Sequence, residues 1–151
     1  MTLRRGDMWE YSDASLFLFT GNASVRTDGC LVMGRGAALQ AQRRFPNCNQ
    51  TFGQLIRLHQ RKFGLGIPYG VILHPDICLG VFQVKWDWNR DASIDLIRFS
   101  VDALIPIAEQ YQSRKKIVAC NFPGIGYGGL YREDVLPLLK PLPRNVEIWE
   151  Y

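Results

Sequence analysis

The order of apolar and polar positions divides the chain into alternating strand-like and helix-like segments. Ser15-Leu16-Phe17-Leu18-Phe19-Thr20 is a continuous apolar run closed by Gly21, the pattern of a strand buried on both faces. Residues 8–11 read as a short strand before it. Arg26-Thr27-Asp28-Gly29 reads as a turn. Residues 37–45 predict a helix stopped by Pro46, and residues 52–63 a second helix with Phe52, Leu55, Ile56 and Phe63 at helical spacing, closed by Gly64 and Gly66. Residues 69–73 and 77–84 are β-rich and flank His74-Pro75-Asp76, which predicts a strand pair. From 92 to 112, one stripe of Ile94, Ile97, Val101, Leu104, Ile105 and Ala108 predicts an amphipathic helix kinked at Pro106. Residues 116–121 predict a strand, 133–139 a helix despite Pro137, and 146–149 a closing strand.

Buried strands alternating with amphipathic helices specify an α/β protein of three layers, a central mixed sheet flanked by helices. The 151 residues fit one domain, residues 1–151, with no internal repeat or linker. At this length about 70% of the unfolded chain's surface is buried on folding, so a core is available without disulfides or a structural metal.

Charge and cysteine usage narrow the chemistry. The formal net charge of +4 suits an anionic ligand and tolerates nucleic acid, but the basic residues are scattered and form no nucleic-acid tail. Cys30, Cys48, Cys78 and Cys120 lie far apart, with no C-x-x-C pair and no histidine at metal spacing. The expectation is four reduced thiols in a cytoplasmic, monomeric protein with no metal and no cofactor. The N-terminus turns acidic at Asp7 before any apolar segment, unlike a signal peptide, and no apolar run nears the roughly 20 residues of a membrane span.

Two glycine clusters follow apolar strands and precede helices: Gly34-Arg35-Gly36, and Gly124-Ile125-Gly126-Tyr127-Gly128-Gly129. In open α/β sheets such positions are the carboxyl ends of strands, where ligands bind. Glycine there lets backbone N–H groups approach phosphate oxygens, and a following helix adds its positive end. Neither cluster fits the P-loop or the dinucleotide fingerprint.

Taken in order, Gly6-Asp7-Met8, Asn22, Leu31-Val32-Met33-Gly34-Arg35-Gly36-Ala37-Ala38-Leu39-Gln40 and Pro123-Gly124-Ile125-Gly126-Tyr127-Gly128-Gly129-Leu130 resemble the motifs of macrodomains, modules that bind ADP-ribose. The resemblance runs from about Gly6 to the C-terminus. It is greatest to the branch of the terminal ADP-ribose glycohydrolase and of a bacterial antitoxin that removes ADP-ribose from DNA bases, and extends to small phage and bacterial macrodomain proteins. Phe82-Gln83-Val84-Lys85-Trp86-Asp87-Trp88 is similar to that branch's strand-end lysine segment.

The resemblance implies roles. Asp7 accepts a hydrogen bond from the adenine amino group, with Met8 beside the ring. Met33, Gly34, Arg35 and Gly36 lie along the diphosphate and distal ribose. Gly124, Ile125, Gly126, Tyr127, Gly128 and Gly129 wrap the diphosphate from the other side, and Asn22 approaches the distal ribose hydroxyls. Each has a structural alternative: Asp7 as a helix cap, Asn22 as a turn former, Trp86 and Trp88 as packing residues.

Lys85 is the catalytic candidate. In the branch it resembles, a lysine here attacks or polarises the anomeric carbon of the distal ribose, giving a Schiff-base type of intermediate that water resolves. The alternative is an exposed lysine pairing with Asp87 or a diphosphate oxygen. The glycohydrolase pattern carries a catalytic aspartate in the second glycine loop. Here that position is about Gly128, so the acid is missing. Three functions follow: an ADP-ribosyl hydrolase acting on protein or nucleic acid, a non-catalytic reader of ADP-ribose or a related NAD-derived nucleotide, or a basic nucleic-acid-binding domain.

Overall fold

The computed structural model describes residues 1–151 and contains one six-stranded sheet. The elements run β1 (Thr2–Arg5), α1 (Met8–Tyr11), β2 (Leu16–Asn22), α2 (Gly36–Arg44), α3 (Cys48–Phe63), β3 (Val71–Leu73), β4 (Leu79–Lys85), α4 (Ile94–Ser113), β5 (Val118–Asn121), α5 (Arg132–Leu139) and β6 (Val146–Glu150). The strand order is β1-β6-β5-β2-β4-β3. All neighbours are parallel except β3, which pairs antiparallel with β4 at the edge. Five strands therefore bring their carboxyl ends to one side of the sheet, and the site lies there.

Strand pleating splits the core into two layers. On β2, Leu16 and Leu18 point to one face with Phe82 and Val84 of β4, under α4 and α5. Phe19 points to the other face with Leu79 and Val81, under α2 and α3. A third, smaller cluster packs Met8 of α1 against Ala119 and Trp149. The architecture is the expected mixed sheet between helical layers. Pro106 lies inside α4 without ending it.

One local expectation is corrected. Residues 8–11 form a helical turn rather than a strand, because Asp7 Oδ1 accepts from the Trp9 N–H at 2.9 Å and caps it. The strand at this end is Thr2–Arg5, whose exposed, arginine-rich sequence carries no apolar alternation. Charge of that kind is how edge strands avoid pairing with other chains.

Candidate functional site

A cleft of about 700 Å³ opens across the carboxyl ends of the parallel strands, within the size range of small-molecule sites. Of the residues singled out from the sequence, Asp7, Met8, Asn22, Met33, Gly34, Arg35, Gly36, Lys85, Gly124, Ile125, Gly126, Tyr127 and Gly128 all line it. Gly129 does not. It lies behind its loop, where a Cβ would come 2.8 Å from Asp91 Oδ1.

The first wall is the loop that enters α2. Its N-cap, Arg35, makes no side-chain cap, and Arg35 through Ala38 line the cleft. The first-turn N–H groups and the positive end of the helix are therefore offered to an anion. Asn22 supports this loop from below: its Nδ2 donates to Val32 O at 2.9 Å, and its Oδ1 accepts from Ser24 N at 2.8 Å.

The second wall is the turn after β5. Gly124 has φ +79 and sits where a Cβ would be 2.7 Å from Ile97 Cδ1. Only glycine allows both the left-handed backbone and this approach to α4. The two walls touch through Arg35 and Tyr127, with the guanidinium carbon 5.3 Å from the ring centroid.

Lys85 ends β4 beside Asn22. The β2–β4 register slips between Gly21 and Asn22, so Asn22 pairs with Lys85 while Val84 has no partner. The irregularity re-aims the end of β4, as bulges beside functional sites do. Lys85 Nζ donates to Tyr127 O at 3.0 Å, tying the strand end to the second glycine loop. It makes no ion pair with Asp87, whose Oδ1 accepts from Ser24 Oγ at 2.8 Å. Beneath it, buried Gln83 accepts from Tyr69 N and Gly70 N, which fixes the strand from behind.

At the β1 end, Asp7 Oδ2 is 3.8 Å from Arg44. The Trp9 ring stacks on Phe17 with centroids 5.3 Å apart, and its indole N–H donates to Gln40 Oε1 at 3.1 Å. Gln40 Nε2 in turn donates to the Tyr151 hydroxyl at 3.1 Å. Sequence reading assigned no role to Trp9, Gln40, Glu150 or Tyr151, although all four line the cleft. Thr20 and Asn121 line its floor and bond to each other, with Asn121 Nδ2 donating to Thr20 Oγ1 at 2.7 Å. Trp88 also lines the cleft, with 59% of its surface exposed, while Trp86 stays outside it. Only Gln40 had a local signal, as the last residue of the first glycine motif. No three His, Cys, Asp or Glu side chains are grouped to hold a metal ion, and no helix is long and apolar enough to cross a membrane.

No family model and no curated protein matches the sequence. Among solved structures, the chain is similar to Thermosipho africanus DarTG in complex with ADP-ribose, with 22% identity and a TM-score of 0.71 over 98% of this chain. It spans 41% of that longer chain. It is also similar to the macrodomain of Thermus aquaticus DarG, with 23% identity and a TM-score of 0.70 over 99% of this chain and 96% of that one. The macrodomain of Mycobacterium tuberculosis DarG gives 24% identity and a TM-score of 0.68 over 99% and 97%. With the strand order and the two-walled cleft, these likenesses establish that the chain has the macrodomain fold.

Proposed function

We propose that the cleft binds ADP-ribose and that Lys85 hydrolyses an ADP-ribosyl linkage to a protein or nucleic acid. The order of groups across the sheet carries this reading. Asp7 stands at β1, the second glycine loop at β5, Asn22 and the first glycine loop at β2, and Lys85 at β4. That order matches base, diphosphate and distal ribose laid along one line. One of the similar structures, Thermosipho africanus DarTG, is a complex with ADP-ribose, which supports the same ligand. The four free cysteines suit a reducing cytoplasm, where we place a monomer.

In the chemical step, the free amine of Lys85 attacks the anomeric carbon of the distal ribose. The bond to the carrier breaks, and the carboxylate or base leaves with its electron pair. The attacking amine gives up a proton to solvent, and the sugar ring opens to a Schiff base. Water then adds to the imine carbon and releases ADP-ribose and the lysine amine. The loops hold the substrate for this step: amides of α2 and of residues 124–127 face the diphosphate, which fixes the anomeric carbon relative to β4.

A second reading, a reader of ADP-ribose without turnover, is favoured by the Lys85–Tyr127 hydrogen bond, which a purely structural lysine also makes. Calorimetry with ADP-ribose and turnover of ADP-ribosylated DNA and of glutamate-linked ADP-ribosylated protein separate the readings. The expected result is saturable heat, with turnover falling at least about 100-fold in Lys85→Ala. Wild type and variant equally inert on both substrates would leave the reader. Oligonucleotide binding without any heat from ADP-ribose would overturn both.

A further inference from the structure

Glu150 is the last residue of β6, and it lines the cleft. In the order β1-β6-β5, its strand lies between the one that leads to Asp7 and the one that feeds the second glycine loop. Neighbouring strands are about 4.8 Å apart, so Glu150 stands one strand from each. A nucleotide whose base is at Asp7 and whose diphosphate is between the glycine loops has its adenosine ribose at this point.

The side chain is held firmly there. Glu147 and Trp149 share one face of β6, where the indole N–H donates to Glu147 Oε1 at 3.2 Å. By strand alternation Glu150 turns to the opposite face, where α5 begins. Arg132 donates through Nε to Oε1 at 3.1 Å and Oε2 at 3.0 Å, and through Nη2 to Oε1 at 2.8 Å. Arg132 also lies over the Phe122 ring, 5.4 Å from its centroid. The Glu150 side chain is 13% exposed against 43% for Arg132, and Arg132 does not line the cleft. The fork grips the carboxylate from outside, giving Oε1 two bonds and Oε2 one, and leaves an acceptor position on Oε2.

We propose that Glu150 is the specificity residue for the adenosine ribose, accepting from its 2′-hydroxyl through Oε2 and rejecting nucleotides that carry a 2′-phosphate. This rests on the functional reading above. A ribose hydroxyl brings a donor to an acceptor-only group, whereas a phosphate brings only further acceptors and negative charge. An acidic side chain facing a 2′-hydroxyl makes the same distinction between NAD and NADP in dinucleotide folds. Arg132 and exposed Arg5 add positive charge nearby, but neither lines the cleft. At contact distance, the unpaired acceptors therefore outweigh that more distant, solvent-screened attraction.

The test is a side-by-side titration with ADP-ribose and 2′-phospho-ADP-ribose, repeated on Glu150→Gln and Arg132→Gln. Wild type should prefer ADP-ribose at least tenfold. Glu150→Gln keeps the shape, loses the charge and loosens Arg132, so the preference should shrink to within threefold or reverse. Arg132→Gln should keep it, because the carboxylate stays. Wild type binding both ligands within threefold, an undiminished preference in Glu150→Gln, or its loss in Arg132→Gln each overturns the assignment. The wild-type ratio decides even if the variants unfold. Discrimination absent alongside ADP-ribose binding removes this inference alone, while no ADP-ribose binding removes the functional reading with it.

Discussion

Asn22 is the register partner of Lys85, because β4 carries one extra residue, Val84, opposite the step from Gly21 to Asn22. The pairing sets the proposed nucleophile beside the residue that holds Val32 O and Ser24 N. Asn22→Ala leaves that carbonyl and that N–H without their partner, a cost of about 1–3 kcal/mol. It should lower the melting temperature and weaken ADP-ribose binding together, since the first glycine loop loses its support. Melting curves with and without ADP-ribose check this. Full stability with unchanged binding would show that Asn22 supports nothing.

Gly53 of α3 offers a test of how the first loop is delivered to the site. A Cβ at this position would collide with the Gly29 carbonyl oxygen and stand 2.8 Å from Leu31 N. Alanine normally favours a helix interior by about 1 kcal/mol over glycine. Here the colliding atoms are backbone, so overpacking wins. Gly53→Ala should be destabilised by about 2 kcal/mol or more, a fall of about 4–8 °C in melting temperature for a chain of this size. A variant as stable as wild type would contradict the close approach.

The thiols should divide sharply. Cys78 is exposed, whereas Cys30, Cys48 and Cys120 are buried. Burial pushes the Cys48 thiol up to about 11 and Cys120 higher still. Burial, with the Asp28 carboxylate beside it, raises Cys30. Reactivity follows the thiolate. A disulfide reagent at pH 8 should therefore titrate one thiol quickly in the native protein and four in denaturant. Fast modification of two or more native thiols would contradict this packing.

The Arg132 fork should make stability depend on acid. Its hydrogen bonds, and to a lesser degree the charge of Arg5, hold the Glu150 carboxyl below the ordinary glutamate value of 4.5. A depressed carboxyl contributes stability above its unfolded value and loses it as pH falls through the folded one. The melting-temperature gap between wild type and Arg132→Met should thus be full at pH 7. It should narrow as pH falls from about 4.5, toward nothing once Glu150 is protonated in both states. A gap independent of pH from 7 to 3 would mean that the ion pair contributes nothing.

The parts of the fold that were legible in sequence are those where burial writes the pattern. Leu16 to Phe19 read as a buried strand because both faces of β2 are covered, and α4 read as a helix because one stripe enters the core. β1 was not legible, since an edge strand of Thr2 to Arg5 shows charge instead of alternation. Residues 8–11 carried strand-like aromatic content, yet one hydrogen bond to Asp7 turned them helical. The site divides similarly. Glycine loops are visible because backbone geometry demands glycine, whereas Glu150 and Tyr151 reach the cleft only because β6 inserts between β1 and β5. That insertion is a long-range choice with no local signature. The slip that pairs Lys85 with Asn22 is likewise a property of two strands, invisible in either one.

The two glycine loops are rooted on opposite sides of the sheet. Met33 and Ala38 belong to the layer with Phe19, Ala41 and Phe52, while Phe122 belongs to the layer with Leu18, Ile97 and Leu104, against which Ile125 and Leu130 pack. The sheet thus acts as the spacer of a caliper, and its thickness sets the gauge between the jaws. Substitutions within the loops alter the grip. Volume changes deep under either layer, at Leu18 or Phe19, alter the gauge itself and act on the ligand without touching it.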